Sequence, residues 1–412
     1  MPTGHRAGCV APTDMNHYCK DCRGRSSIPR LAIFVSLLSF AFTGAVLRLC
    51  EPTELAIGEW VDIQDVRNGG QKENSFLEHF FGIDGQAASP GQALDFSQVW
   101  VPKECAYHRF TNETLLHVIN QVLSNEEWRS KQKRKDQVIF AFVGDSLIRG
   151  LICSVARVIA GNETHGPLEN PICGGATSSF MQSTNIGVYP QFYDGKLALH
   201  FNFQKSLIHR KFDKADWVME FELTEFRPYA LVWGSGAWDF ENLHEKYNHL
   251  KAQDNHSEYC VSQGSKEIAE QRASPFVNET MRFLGHLAEE SSTKAVYKNM
   301  HVNLRYGARC SDDSVLEMLA DPPGSGWELF DSFNISITSF KNQLLDGFHI
   351  DRRFSATVEQ HEQERQKWLH KNGQYPGQLE MQMAHNFLHQ MFWEYIKPFH
   401  QRAVSKETAT RP

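Results

Sequence analysis

A run of six apolar residues at 138–143 (VIFAFV) breaks at Gly144-Asp145-Ser146 and gives way to a second apolar stretch at 147–160, LIRGLICSVARVIA. An unbroken apolar run of this length is expected of a strand covered on both faces. The second stretch is too long for a strand, contains no Pro, and reads as a helix. Strand, short turn and helix in that order open a β-α-β unit, which calls for a parallel sheet. LALHFNF at 197–203, YALVW at 229–233 and NMHVNLRY at 299–306 read as further strands. Residues 379–396 predict a closing helix, because Leu379, Met383, Phe387, Met391 and Tyr395 recur every four residues. The expected fold class is α/β, a three-layer domain with a mostly parallel sheet.

Composition narrows the function classes. With 412 residues, 41% of them hydrophobic and 22% charged, the chain can bury a large core. Its net charge of -7 comes with no basic stripe, so nucleic acid is excluded as a partner. No 20 to 50 residue repeat and no GxGxxG or GxxxxGK[ST] motif occurs, which removes repeat architectures and nucleotide-binding domains.

The longest apolar run, LAIFVSLLSFAFTGAVL at 31–47, is expected to span a membrane. At ~1.5 Å per residue it covers ~25 Å, enough for the thinner bilayers of the early secretory pathway. Lys20, Arg23, Arg25 and Arg30 precede it, and Arg48 alone follows before Glu51 and Glu54, which places the N-terminus in the cytosol. A cleaved signal peptide initiated at Met15 is the alternative, and it leaves the same body outside the cytosol. The sequons at Asn112, Asn162, Asn255, Asn278 and Asn334 all follow the run. So do Cys50, Cys105, Cys153, Cys173, Cys260 and Cys310, an even set suited to disulfides, with every connectivity open. Cys9, Cys19 and Cys22 precede it and read as thiols on a tail.

The chemistry-bearing residues begin at Ser146. A serine at a strand-to-helix turn stands at the carboxyl edge of the sheet, beside helix N-terminal N–H groups that suit a developing oxyanion. Far downstream, Asp346-Gly347-Phe348-His349 supplies an imidazole as general base and a carboxylate that fixes its tautomer. His385 and His389 stand four apart on the closing helix, but no acidic third ligand accompanies them and no metal site is expected. The charged segment 358–372 reads as a solvated helix.

GEWV (58–61), WVPKECAYHRF (100–110), FVGDSLIRG (142–150), WGSGAWD (233–239), LFDSF (329–333) and DGFH (346–349) occur in an order that resembles the SGNH/GDSL superfamily. The likeness is to its PC-esterase-like branch, which includes trichome-birefringence-like polysaccharide O-acetyltransferases, the lumenal domain of sialic-acid O-acetyltransferases and neurexophilin-and-PC-esterase proteins. The resemblance implies an SGNH-hydrolase-like three-layer fold with Ser146 as nucleophile, His349 as base and Asp346 as its partner. It implies oxyanion donors from Gly175 and from Gly234 and Ser235, with Arg149 bracing the site or an acyl-donor group, and Trp238 lining an acceptor site. Gly234 is a departure, since related sequences often carry Asn there.

The resulting expectation is a lumenal O-acyltransferase, acetyl being the favoured group, that modifies a glycan hydroxyl through a seryl acyl-enzyme. Acetyl-CoA is the expected donor, a glycan or polysaccharide the acceptor, and no cofactor is held tightly. An esterase using the same residues, and a glycan-binding member of the fold that has lost catalysis, are the alternatives. The layout expected is a cytosolic tail at 1–30, a transmembrane signal anchor at 31–47, a lumenal stem at 48–95, an SGNH-like domain at 96–400 and a tail at 401–412. Such a protein would be single-pass type II in a Golgi or other secretory-pathway membrane.

Overall fold

The computed structural model describes residues 48–62, 98–103, 105, 107–161, 191–204, 215–234, 270, 274–299, 325–337 and 378–398. The apolar run at 31–47 lies outside them, and among the described residues no helix is long and apolar enough to cross a membrane.

The core is a six-stranded sheet in the order β4-β5-β3-β6-β7-β8. Its strands are β3 (Val138–Gly144), β4 (Gln191–Phe192), β5 (Leu197–Phe203), β6 (Ala230–Gly234), β7 (Lys294–Lys298) and β8 (Glu328–Phe330). All neighbours run parallel except the edge pair β4 and β5. The chain thus enters the middle of the sheet at β3, steps one way to β5, then crosses back to β6 and continues to β7 and β8. This is a doubly wound sheet, and its topological switch point lies between β3 and β6.

Alternation along the strands builds two apolar layers, as expected when both faces are covered. Val138, Phe140 and Phe142 of β3 join Ala230, Val232 and Val296 in one core. That face is covered by α1 (Asn112–Ser124), α3 (Ser146–Ala160) and α7 (Gln378–Met391), with Trp128 of α2 (Glu126–Lys131) at its edge. Ala141, Val143, Leu231, Trp233, Ala295 and Tyr297 face the other way, onto α4 (Ala215–Phe221) and α5 (Pro275–Glu290). The three-layer α/β expectation therefore matches the architecture. The predicted strands at 138–143, 197–203 and 229–233 and the predicted helices at 147–160 and 379–396 also correspond to elements, while the helix predicted at 358–372 lies outside the described residues.

Of the run at 299–306 only Asn299 is described, and 300–306 lie outside the described residues. Immediately upstream of it stands β7, a strand not expected from the sequence. The lysines at its two ends disguised β7 in the sequence, yet both are buried or nearly so. Lys294 donates to the Met391 carbonyl at 2.9 Å and lies over the Tyr229 ring. Lys298 donates to the Asn299 carbonyl at 3.1 Å and to Ser332 Oγ at 3.0 Å. Apolar stems with paired amines satisfy a strand that charge counting rejects.

The start of the expected stem is also drawn into the body. β1 (Gly58–Asp62) pairs antiparallel with β2 (Gln98–Pro102), and a Cys50–Cys105 disulfide ties the same two segments. Leu49 and Trp100 join the α7-side core, and the Trp100 indole N–H donates to the Leu55 carbonyl at 2.9 Å. Two sequon asparagines are engaged in hydrogen bonds: Asn112 donates across the fold to the Ile159 carbonyl near the end of α3, and Asn334 donates locally to Asp331.

Burial pushes the phenols of Tyr193, Tyr229 and Tyr395 above their ordinary range. Their contribution is therefore intact below about pH 10 and is lost as pH rises from there toward the raised folded-state values. Burial lowers the Lys294 pKa, so that single group works in the opposite direction, gaining stability as pH rises toward about 10.5. The expected net result is a fall in urea midpoint between about pH 10 and 12. The fall should be shallower in Tyr229→Phe, which also loses about 1 kcal/mol at neutral pH with its hydrogen bond to the Met391 carbonyl.

Candidate functional site

The carboxyl ends of β3 and β6 meet at Gly144 and Gly234, which are paired in register. Both positions require glycine for steric reasons. Gly144 has φ +155°, and a Cβ there would collide with the Gly234 carbonyl oxygen and with Ile148. A Cβ at Gly234 would sit 2.7 Å from Ile148 Cδ1 and 2.8 Å from the Lys298 carbonyl oxygen. The two bare backbones let the first turn of α3 settle directly over the switch point.

Asp145 is the N-cap of α3, with extended φ -87° and ψ -160°, and its carboxylate accepts from the Leu147 N–H at 2.9 Å. The first intrahelical bond runs from the Arg149 N–H to the Asp145 carbonyl at 3.1 Å. The N–H groups before it point out of the helix start, where the macrodipole favours negative charge. Ser146 is the first helical residue and is 7% exposed. Arg149, one turn on, is buried on the same side of the helix. Of the residues named from the sequence, Ser146, Arg149 and Gly234 lie at the switch-point end of the sheet, where open α/β folds bind ligands. Asp346, His349, Gly175, Ser235 and Trp238 lie outside the described residues.

Neighbouring strand ends are fastened to this corner. The Gln204 N–H donates to the Gly144 carbonyl at 2.9 Å, which closes β5 onto β3. Across the sheet, Asn299 donates to Asp331 at 2.9 Å and accepts from the Ser332 N–H at 2.7 Å. Asp331 in turn accepts from the Asn334 N–H at the start of α6 (Ser332–Ile337). The LFDSF block is therefore a clamp between the ends of β7 and β8.

Sequence reasoning missed one buried polar group near this edge. Glu222 is fully buried and accepts from His200 Nδ1 at 2.9 Å and from Asn202 Nδ2 at 3.0 Å. His200 and Asn202 alternate with Leu199 and Phe201 of the α3-side core, so they occupy the opposite face of β5. The signal was present as His and Asn at alternate positions in an otherwise apolar strand. The cluster pins Glu222–Phe226, a π-helical turn, to the sheet.

His385 and His389 are not set up as metal ligands. His389 Nδ1 accepts from the His108 N–H at 2.8 Å, His385 Nδ1 accepts from the Phe110 N–H at 3.3 Å, and His389 Nε2 donates to the Cys50 carbonyl at 2.9 Å. Among the described residues no three His, Cys, Asp or Glu side chains converge as a metal site. No family model matches the chain, and no curated protein matches it.

The packing at Gly234 changes what its departure from Asn means. A side chain there points at Ile148 and Lys298, so the position offers a backbone group only. Gly234→Asn is expected to destabilise the fold by about 1–3 kcal/mol through overpacking, read as a lower urea midpoint, and to leave any acyl-transfer rate no higher.

Proposed function

We propose that this chain is a serine acyl-transfer enzyme of the SGNH type, in which Ser146 carries the acyl group and a glycan hydroxyl receives it. The observation that supports it best is the place of Ser146: first residue of a capped helix, directly after the central parallel strand, at the topological switch point. A hydroxyl there stands beside outward-pointing N–H groups in a largely buried setting, where fixed dipoles act on developing charge more strongly than in water.

In the proposed cycle His349 takes the Ser146 proton as Oγ attacks the acyl carbonyl. Collapse of the tetrahedral adduct expels the donor, which leaves with the proton from His349. The acceptor hydroxyl then gives its proton to His349, attacks the acyl-enzyme, and Ser146 departs reprotonated. Asp346 holds the imidazole in the tautomer that this traffic requires. Acetyl is the group and acetyl-CoA the donor that the family resemblance favours. The apolar run at 31–47 would hold the body on a secretory-pathway membrane, facing glycans. The buried cation of Arg149, one turn from Ser146, fits a role in fixing the active-site turn.

The test is covalent labelling of the full chain in detergent with a fluorophosphonate, read by intact mass. Wild type is expected to gain one adduct and Ser146→Ala none, with turnover of a labelled acetyl ester falling at least ~10³-fold in the variant. Label recovered on an added oligosaccharide marks transfer, and label released to water marks an esterase. Absence of an adduct on folded wild type, or equal labelling of the variant, would overturn the reading in favour of a binding protein.

A further inference from the structure

The N-terminal segment is fastened to α7 by an unusual choice of acceptors. Two backbone N–H groups, those of His108 and Phe110, are satisfied by ring nitrogens, His389 Nδ1 and His385 Nδ1. The second nitrogen of His389 donates to the Cys50 carbonyl, so this ring bridges both partners of the Cys50–Cys105 segment pair. Asn386 on the intervening turn donates to the Leu55 carbonyl at 3.4 Å. Both histidines are fully or almost fully buried.

These contacts define the protonation state. An Nδ1 that accepts an N–H carries no proton, and His389 Nε2 donates, so His389 is a neutral Nε2–H tautomer. Protonating either Nδ1 would turn an acceptor into a donor aimed at another donor, inside the core. The surrounding elements carry charges of both signs. The N-terminal turn carries Arg48, Glu51 and Glu54, with Glu54 held below its usual range by the Arg48 guanidinium. The 103–110 segment carries Lys103, Glu104, His108 and Arg109 in sequence, α3 carries the buried Arg149 and Arg157, and Glu394 and Lys397 follow on the helical turn after α7.

We propose that His385 and His389 form an acid-released latch: as neutral rings they hold the 48–57 and 107–110 segments on α7, and protonation frees both segments while the disulfide keeps them tied to each other. The latch involves neither Ser146 nor the switch point, so it stands or falls apart from the acyl-transfer reading. Closed protein binds neither proton, and opened protein binds both with the ordinary imidazole affinity near pH 6.5. The opening constant then rises ~100-fold between pH 7.5 and 5.5, ~10-fold for each ring.

Hydrogen exchange of the full chain reads this directly at the His108 and Phe110 amides, after correction for the intrinsic pH dependence of exchange. Wild type is expected to lose ~100-fold protection at these amides from pH 7.5 to 5.5, while the Phe140 amide in β3 stays protected. His385→Asn and His389→Asn keep an acceptor near the Nδ1 position without titrating. Each should reduce the loss to ~10-fold, and the double variant should abolish it. Unchanged wild-type protection across that range, an equal loss at Phe140, or a full response in the double variant would each overturn the latch. The wild-type comparison needs no variant, so poor folding of a substituted chain cannot shield the proposal.

Discussion

The close approach of Gly144, Gly234 and Ile148 is the contact on which the site depends. Two paired strands and the helix that follows one of them can share a corner only if neither strand end carries a Cβ. With both bare, α3 starts over the switch point, Asp145 reaches back to cap it, and Ser146 becomes its first residue. A methyl at either glycine would push the helix start outward and move the serine away from the crevice between β3 and β6. The close packing of protein interiors gives such a shift nowhere to be absorbed.

α7 plays the corresponding part for the remainder of the molecule. Its last carbonyl, that of Met391, accepts from both the Tyr229 hydroxyl and the Lys294 amine, which join the helix to β6 and β7. Gln390 donates to the Leu329 carbonyl on β8, and the two histidines and Asn386 hold the N-terminal segment. Buried polar contacts of this kind add only about 1 kcal/mol each when made, but leaving one partner unsatisfied costs more. They therefore act chiefly as specificity. The Phe387 face sets where the helix lies, and the polar groups set its register along the sheet and the segment it receives.

What the sequence disclosed follows the same physics. Strands β3, β5 and β6 were legible because burial on both faces leaves an unbroken apolar run, and α3 because its apolar stretch is long. β7 was not, since its lysines place charge at both ends of a three-residue apolar centre and hide their pairing in the fold. The Gly144-Asp145-Ser146 corner was legible as a strand-to-helix turn. The reason for Gly234 was not, because it depends on Ile148 and Lys298, which only the fold brings against it. The His385 and His389 spacing was visible too, yet i, i+4 spacing cannot distinguish a ligand pair from two acceptors for backbone N–H groups. That distinction lies in their partners, His108 and Phe110, more than 270 residues away in sequence.

The hydrogen-bond partners of the described carboxylates and imidazoles also bear on which groups can move a proton at Ser146 in the proposed mechanism. Asp145 is the nearest carboxylate in sequence, but its Oδ1 accepts from the Leu147 N–H and its position as N-cap places it at the helix start, where it compensates the dipole. It stabilises the corner. His200 lies on the face of β5 away from α3 and is committed to Glu222. His385 and His389 are committed to backbone groups of the N-terminal segment. The three most deeply buried described histidines thus each hold structure. The proposed mechanism therefore takes its base for Ser146 from outside these groups. In the proposed mechanism that part falls to Asp346 and His349, which follow β8 and α6 in sequence; β8 itself runs parallel to β3, so it ends at the Ser146 side of the sheet.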